Sequence, residues 1–240
     1  MKLLSALNVL PIAAAGMLAL TALRGVAADH PKIDRSQGWV SLFNGKDLDG
    51  WKITDVRGGI EPNAWVVEDG ILTRKAKGYL VSNAQYGDFI LDLEFKVGPK
   101  TNSGVFLRYD PSYAGTGKIY WWNGLLEVQI FDSFGKKETD KHDCGALYDM
   151  IAPKPNTMRP PGQWNRMTIT AKGSRIDIML NGSTVVDANL DDWTKAEKNP
   201  DGTPNKYHKP MKDVPRRGHL VLQDHPGEIS FRNLNLKPLN

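Results

Sequence analysis

Hydrophobic and polar positions alternate along much of the chain, and this pattern predicts β-strands. Residues Phe89 to Val97 place apolar side chains at odd positions and charged ones at the later even positions, as in a strand with one buried and one solvated face. The alternation returns over Arg175 to Leu180, and after the hairpin signal Asn181-Gly182 it continues over Ser183 to Val186. The same reasoning predicts further strands at 71–73, 104–109, 125–131, 167–171, 219–223 and 229–236.

No window of helical length has a convincing 3.6-residue period. A series of short strands separated by glycine-containing turns predicts an all-β fold, a two-sheet antiparallel jelly-roll sandwich. Two irregular segments interrupt the strands: Pro111 to Gly124 is rich in aromatic residues, and Asp191 to Gly218 is charged and contains four prolines. Connections of that length are functional loops or mobile excursions.

The first 28 residues predict an export signal. Lys2 precedes an apolar run from Leu3 to Leu23, and Val26-Ala27-Ala28 offers small residues for cleavage before Asp29. An uncleaved membrane anchor is the alternative, because the run is long enough to span a bilayer. Polar and helix-breaking residues within the run favour cleavage. We therefore expect residues 29–240 to form one domain, secreted or periplasmic, with no membrane association after cleavage.

Composition excludes several classes of protein. Charged residues at 24% and hydrophobic residues at 40% are typical of a soluble globular chain. The net charge of +4 falls to +2 when Lys2 and Arg24 leave with the signal, so we expect no nucleic-acid partner. Cys144 is the only cysteine, which excludes an intramolecular disulfide. The sequence does not indicate an oligomeric state.

Four predicted strands carry polar residues that alternation places on one sheet face. Glu127 and Gln129 lie opposite Leu126 and Val128, because successive side chains of a strand point to opposite faces. The same phase adds residues from three other strands, and we expect one open sheet face to be lined by Glu94, Arg108, Glu127, Gln129, Gln223 and His225. Taken singly, each of these residues is more simply interpreted as a solvated residue of an outer sheet face. The pairs Glu127 with Gln129 and Gln223 with His225 are unusual for a sheet face that has no function.

Aromatic residues suggest a carbohydrate ligand. Trp121, Trp122 and Tyr148 are candidate substrate-binding residues, because flat aromatic rings suit the C–H faces of a pyranose. The two tryptophans suit a core position equally well. His142-Asp143-Cys144 lacks a recognised metal spacing. We predict no cofactor, and the question of a divalent metal stays open.

The motifs in order resemble the 3-keto-disaccharide hydrolase family, once catalogued as a domain of unknown function. They span residues 37–238 and comprise Gly38 to Trp51, Asn102 to Arg108, Glu127-Val128-Gln129, Gly145 to Asp149, Pro161 to Asn165, Asn181-Gly182, Leu222 to His225 and Phe231-Arg232-Asn233. The resemblance implies a concanavalin A-like jelly roll and cleavage of 3-keto-glycosides by a lyase step and a hydratase step. It assigns no base or acid residue.

The implied chemistry requires a base near C2, donors at the C3 oxygen where enolate charge develops, and an acid for the leaving oxygen. His225 or Glu127 could be the base, with Arg108 and Gln129 or Gln223 as the donors. We favour His225, because imidazole titrates nearest neutral pH.

Two other functions remain possible on the same fold. A conventional glycosidase of the laminarinase type is disfavoured, since its strand reads Glu-x-Asp-x-x-Glu where this chain has Glu127, Gln129 and Asp132. A non-catalytic lectin would use the aromatic and amide residues, but it has no need of a histidine, an arginine and a glutamate on one face.

Overall fold

The structure, a computed structural model, describes residues 35–55, 59–114 and 126–239, and its regular structure is mostly β-strand. The strands, numbered in chain order, are β1 (Val40–Ser41), β2 (Trp51–Thr54), β3 (Trp65–Glu68), β4 (Ile71–Arg74), β5 (Tyr79–Tyr86), β6 (Phe89–Val97), β7 (Asn102–Tyr109), β8 (Leu126–Phe131), β9 (Trp164–Lys172), β10 (Arg175–Leu180), β11 (Ser183–Asn189), β12 (Gly218–Leu222) and β13 (Ile229–Pro238). Short helical segments are α1 (Pro111–Ala114) and 3₁₀ turns at Arg35–Gln37, Leu190–Asp192 and Met211–Asp213. No helix in these ranges is long and apolar enough to cross a membrane.

The strands form two antiparallel sheets. The larger has the order β11-β10-β9-β6-β13-β4-β3, with β1 also paired to β13, and the smaller has the order β2-β5-β12-β7-β8. The prediction of an all-β, two-sheet antiparallel sandwich is confirmed.

The core lies between the sheets and follows from the alternation in the sequence. On β6 the odd-numbered residues are buried, and Leu91 and Leu93 stand opposite Ile169 and Met167 of β9. The inward row of the smaller sheet is Leu80, Leu222, Val105 and Val128. Burying each such side chain contributes about 1.5–3 kcal/mol. The opposite face of the smaller sheet, hereafter the outer face, is therefore free to carry polar residues.

Strand β5 was not predicted, because its burial does not alternate. Its first four residues are buried and the next three are exposed. The register with β12 shifts between His219 and Val221, where β5 carries extra residues. Strands β1, β2 and β3, of two to four residues, were not predicted either.

The charged segment between β11 and β12 is packed against the sandwich. Trp193, Tyr207 and Met211 are buried in it. The indole of Trp193 donates a 2.7 Å hydrogen bond to Asn199 Oδ1. Of the two interpretations of this segment, a mobile excursion is therefore the weaker.

Candidate functional site

Two rows of side chains cross the outer face of the smaller sheet. The paired residues of the first row are Val81, Val221, Phe106 and Glu127. In the second row Gly104 pairs with Gln129 and accepts a 3.0 Å hydrogen bond from the backbone N–H of Gln223. Neighbouring strands lie about 4.8 Å apart, so polar groups from β8 and from the end of β12 come together over β7. The predicted shared face of Glu127, Gln129 and Gln223 is confirmed.

Glu127 is a buried carboxylate of this face, with 3% of its surface exposed. Its Oε1 accepts a hydrogen bond from Gln223 Nε2 at 3.2 Å, and its Oε2 lies 3.1 Å from Lys206 Nζ. The side chain reaches Gln223 across Gly104, where an added Cβ would lie 2.8 Å from Glu127 Oε1. The hydrogen bond between Glu127 and Gln223 therefore requires glycine at position 104.

Lys206 brings its charge to Glu127 from the segment between β11 and β12. Its ammonium lies 3.9 Å from the centre of the Tyr148 ring, within cation–π range. Its backbone N–H donates to Asp149 Oδ2 at 2.6 Å, and the hydroxyl of Tyr207 donates to the Tyr148 carbonyl at 3.1 Å. We refer to Glu127, Gln223, Lys206 and Tyr148 as the Glu127 cluster.

Burial raises the pKa of Tyr207 well above its ordinary value, and the negative charges of Glu127 and Asp149 add to this effect. The hydroxyl therefore stays protonated and serves as a donor that fixes the backbone at Tyr148.

Gln129 and Gln223 each leave one buried acceptor available. Gln129 Nε2 donates to Asn102 Oδ1 at 3.3 Å and to the His142 carbonyl at 3.1 Å. Within the part of the chain that the structure describes, the Oε1 atoms of both glutamines are buried without a hydrogen-bond partner. An unsatisfied buried acceptor is costly, so hydroxyl donors of a ligand would be bound favourably there.

His225 lies beyond the end of β12, so strand alternation does not fix its side chain. It lines a cleft of about 540 Å³ together with Glu61, Arg74, Lys77, Asp224 and Pro226. Asp224 Oδ2 accepts a 2.5 Å hydrogen bond from Gly78 N–H, which ties the chain before His225 to β5. Since Gln223 belongs to the Glu127 cluster, the cleft and the cluster are neighbours along one stretch of backbone.

The prediction that Arg108 lines the outer face is wrong. The register of β7 against β12 shifts between the pairs His219–Tyr109 and Val221–Phe106, and Arg108 has φ of 53°. This irregularity reverses the alternation, so Arg108 points between the sheets and is 2% exposed. Its guanidinium donates to the carbonyls of Gly87 and Gly173 at 2.9 and 2.7 Å and to Asp88 Oδ1 at 2.9 Å. Burial lowers the pKa of Arg108 to about 10, and the nearby Asp88 opposes that shift.

The prediction that Glu94 shares this face is also wrong. Glu94 lies on β6 of the larger sheet, where it binds Arg232 at 2.7 Å and Asn233 at 3.0 Å. Alternation predicted which side of its strand Glu94 points to, but it could not predict which sheet contains that strand. Trp121 and Trp122 lie outside the described residues.

Sequence reasoning missed Lys206 and Arg74. Lys206 lies in a segment without periodicity, and only the density of charge and proline there was a signal. Arg74 is the last residue of β4 and lies one residue beyond the strand predicted at 71–73. Among the residues described, no group of three or more histidine, cysteine, aspartate or glutamate side chains could hold a metal ion. Cys144 is buried, which raises the pKa of its thiol to about 12.

Three comparisons relate the chain to known proteins. A model of the 3-keto-alpha-glucoside-1,2-lyase-like domain matches residues 38–237. A 3-keto-disaccharide hydrolase of Bacteroides thetaiotaomicron is 25% identical over 85% of this chain and 80% of that protein. A solved structure of a candidate glycosyl hydrolase from Parabacteroides distasonis is 31% identical, covers 84% of this chain and 99% of that one, and has a TM-score of 0.70. A Bacillus subtilis protein of unknown function with a galectin-like fold is 13% identical over 83% of this chain and 94% of that one, with a TM-score of 0.50, and shows the fold alone.

Proposed function

Because the chain belongs to the 3-keto-alpha-glucoside-1,2-lyase-like family, as its sequence motifs indicated, we propose that it is an exported enzyme that cleaves 3-keto-glycosides. The proposed reaction is elimination across C1 and C2 followed by hydration. The relative named a 3-keto-disaccharide hydrolase supports this substrate class. The structural observation that carries the proposal is the buried Glu127, held between Gln223 and Lys206, together with the cleft lined by His225, two residues beyond Gln223 in the chain.

The chemistry defines what the site has to supply. A base removes the C2 proton, and the C–H electron pair forms the C2–C3 double bond while the C3 carbonyl oxygen takes the negative charge. The enolate then collapses, the C1–O bond breaks, and the leaving oxygen takes a proton. Water adds to C1 of the resulting enone, and C2 regains a proton. Each step is fastest when the proton acceptor or donor is already in place.

We assign His225 as the base at C2. It lies at the edge of the cleft, half-buried, and imidazole is the side chain best suited to accept a proton near neutral pH. Glu127 accepts hydrogen bonds at both carboxylate oxygens, which weakens it as a base. Its role in this proposal is to hold Lys206, whose ammonium donates the proton to the leaving oxygen.

The same residues argue against a conventional retaining glycosidase. That mechanism needs two carboxyl groups about 5–5.5 Å apart. On the strand that carries Glu127, position 129 is an amide, and Asp132 Oδ2 accepts a 3.0 Å hydrogen bond from the Lys100 backbone instead. Strand β8 therefore provides one carboxylate on the outer face, which favours elimination.

Incubation of the purified protein with a 3-keto-disaccharide and with the matching plain disaccharide, in deuterated water, tests the proposal. We expect cleavage of the keto sugar alone, with deuterium at C2 of the product above the level of an enzyme-free control. Cleavage without C2 deuterium would overturn elimination, and equal cleavage of both sugars would indicate a conventional glycosidase. Binding without cleavage of either would indicate a lectin.

Two variants connect the reaction to the assigned residues. His225→Ala should lower the rate of the keto-sugar reaction about 10²–10⁴-fold, the usual effect of losing a positioned base. Glu127→Gln keeps the shape of the side chain but removes the charge that holds Lys206, and we expect a loss of similar size. Full activity in both variants would contradict the assignment.

A further inference from the structure

Arg74 is one of two basic side chains, with Lys77, that line the cleft containing His225. Among the described residues its guanidinium makes no hydrogen bond or ion pair, and its Nε is buried. Other arginines of the sandwich are paired: Arg108 with Asp88, Arg166 with Asp92 and Arg232 with Glu94. Charges that are partly buried are usually paired or bound to a ligand, and the half-buried Arg74 pairs with no described residue.

The position of Arg74 follows from the strand that carries it. Leu72, two residues earlier on β4, is fully buried in the core. Alternation therefore places Arg74 on the same inward face of the larger sheet. Strand β4 ends at this residue, where the space between the sheets becomes the cleft bordered by Asp224 and His225. The side chain thus lines the same cleft as the proposed base.

Neither acidic residue of the cleft forms an ion pair with Arg74. Asp224 directs its carboxylate to the Gly78 backbone N–H at 2.5 Å. Glu61, which also lines the cleft, is exposed and forms no ion pair with Arg74. A planar guanidinium with free N–H groups recognises an oxyanion strongly.

We propose that Arg74 stabilises the negative charge that develops on the C3 oxygen of the keto sugar in the enolate formed when His225 removes the C2 proton. This inference rests on the proposed function. As the C–H electrons enter the C2–C3 bond, the carbonyl π electrons move to the C3 oxygen, and the arginine receives that charge without transferring a proton. When the leaving group departs from C1, the oxygen becomes a ketone again. Arg74 takes the place that the sequence had suggested for Arg108, whose donors are occupied between the sheets.

The other cations near the site are less suited to this role. Lys206 is 3.1 Å from Glu127 and its charge is balanced there. Lys77 lines the same cleft, but a flexible ammonium is less well oriented toward a carbonyl oxygen than a guanidinium held at the end of a strand.

Steady-state kinetics and C2 proton exchange of Arg74→Ala, Arg74→Lys and Lys75→Ala test the proposal. Lys75 is the matched control, because it is the neighbouring cation, is exposed and does not line the cleft. Loss of one preorganised donor to a developing oxyanion lowers kcat about 10²–10³-fold. We expect that loss in Arg74→Ala with KM nearly unchanged, an intermediate loss in Arg74→Lys, and wild-type rates in Lys75→Ala.

Exchange of the C2 proton with deuterated water reports enolate formation before the C1–O bond breaks, and it should slow in Arg74→Ala by the same factor. Added guanidinium salt should restore part of the rate to Arg74→Ala and none to His225→Ala. If the wild type is active and Arg74→Ala keeps its rate, or keeps its rate of C2 proton exchange, the inference is overturned and the proposed function still stands. A wild type that does not process keto sugars would refute both.

Discussion

Gly104 offers a direct test of how the Glu127 cluster is built. In Gly104→Ala the new Cβ would meet Glu127 Oε1 at 2.8 Å and its Cγ at 3.2 Å. Both distances are shorter than an ordinary van der Waals contact, so the carboxylate has to move off Gln223 and Lys206. We expect the variant to fold and to lose most of its activity toward the keto sugar.

The effect on stability has two opposing parts. Replacing glycine in a strand by alanine favours folding by about 0.5–1 kcal/mol. Overpacking costs about 1–3 kcal/mol, and loss of a hydrogen bond to a charged group costs about 1.5–3 kcal/mol. The expected net loss in the free energy of unfolding is about 1.5–5.5 kcal/mol.

Urea unfolding of four proteins, the wild type, Gly104→Ala, Glu127→Ala and the double variant, isolates this clash. Without the Glu127 side chain the added methyl group has room, so Gly104→Ala should stabilise that background by about 0.5–1 kcal/mol. The coupling between the two sites should then be about 2.5 kcal/mol or more. Gly87→Ala is the control, because its Cβ would approach no atom closer than 3.8 Å. Equal destabilisation by Gly104→Ala in both backgrounds would refute the reasoning.

Three further predictions follow from the rest of the chain. Arg108→Ala should lower the free energy of unfolding by about 2–4 kcal/mol in urea titrations, since it removes three hydrogen bonds of a buried cation. The folded fraction should keep its kcat, and a large loss of kcat would show that Arg108 belongs to the site. Because burial raises the pKa of Cys144 to about 12, the thiol stays protonated and should not react with a disulfide reagent at pH 8 until urea unfolds the protein; fast labelling of the native state would contradict this. Mass spectrometry of the exported protein should show loss of about 28 residues and a start near Asp29, whereas full-length chain in the membrane fraction would indicate an anchor.

The parts of the structure that the sequence predicted are those fixed by local alternation. Strands β6 and β10 have the predicted limits, and Glu127 and Gln129 share the expected face. Alternation holds only within a strand that keeps its register. One irregular position at Arg108 reversed it, and the irregularity lies where β7 pairs with β12, about 110 residues further along the chain.

The remainder of the site depends on long-range packing. Period-2 patterning gave the phase of Glu94 but could not assign β6 to the larger sheet, because that assignment depends on which strands pair. Lys206 and Arg74 were beyond prediction for a related reason. One lies in a segment without regular structure, and the other becomes distinctive only because no described carboxylate is its partner.

The Glu127 cluster also has a consequence for the order of folding. Lys206 and Gln223 are 79 and 96 residues from Glu127 in the chain, whereas β9, β10 and β11 pair through short turns. Contacts between distant residues form slowly, since a long loop has to close first. The hairpins of the larger sheet should therefore form before the ion pair, and a chain with native strand content can still lack the assembled Glu127 cluster. After dilution from urea, recovery of activity should lag behind recovery of the β-sheet signal in circular dichroism.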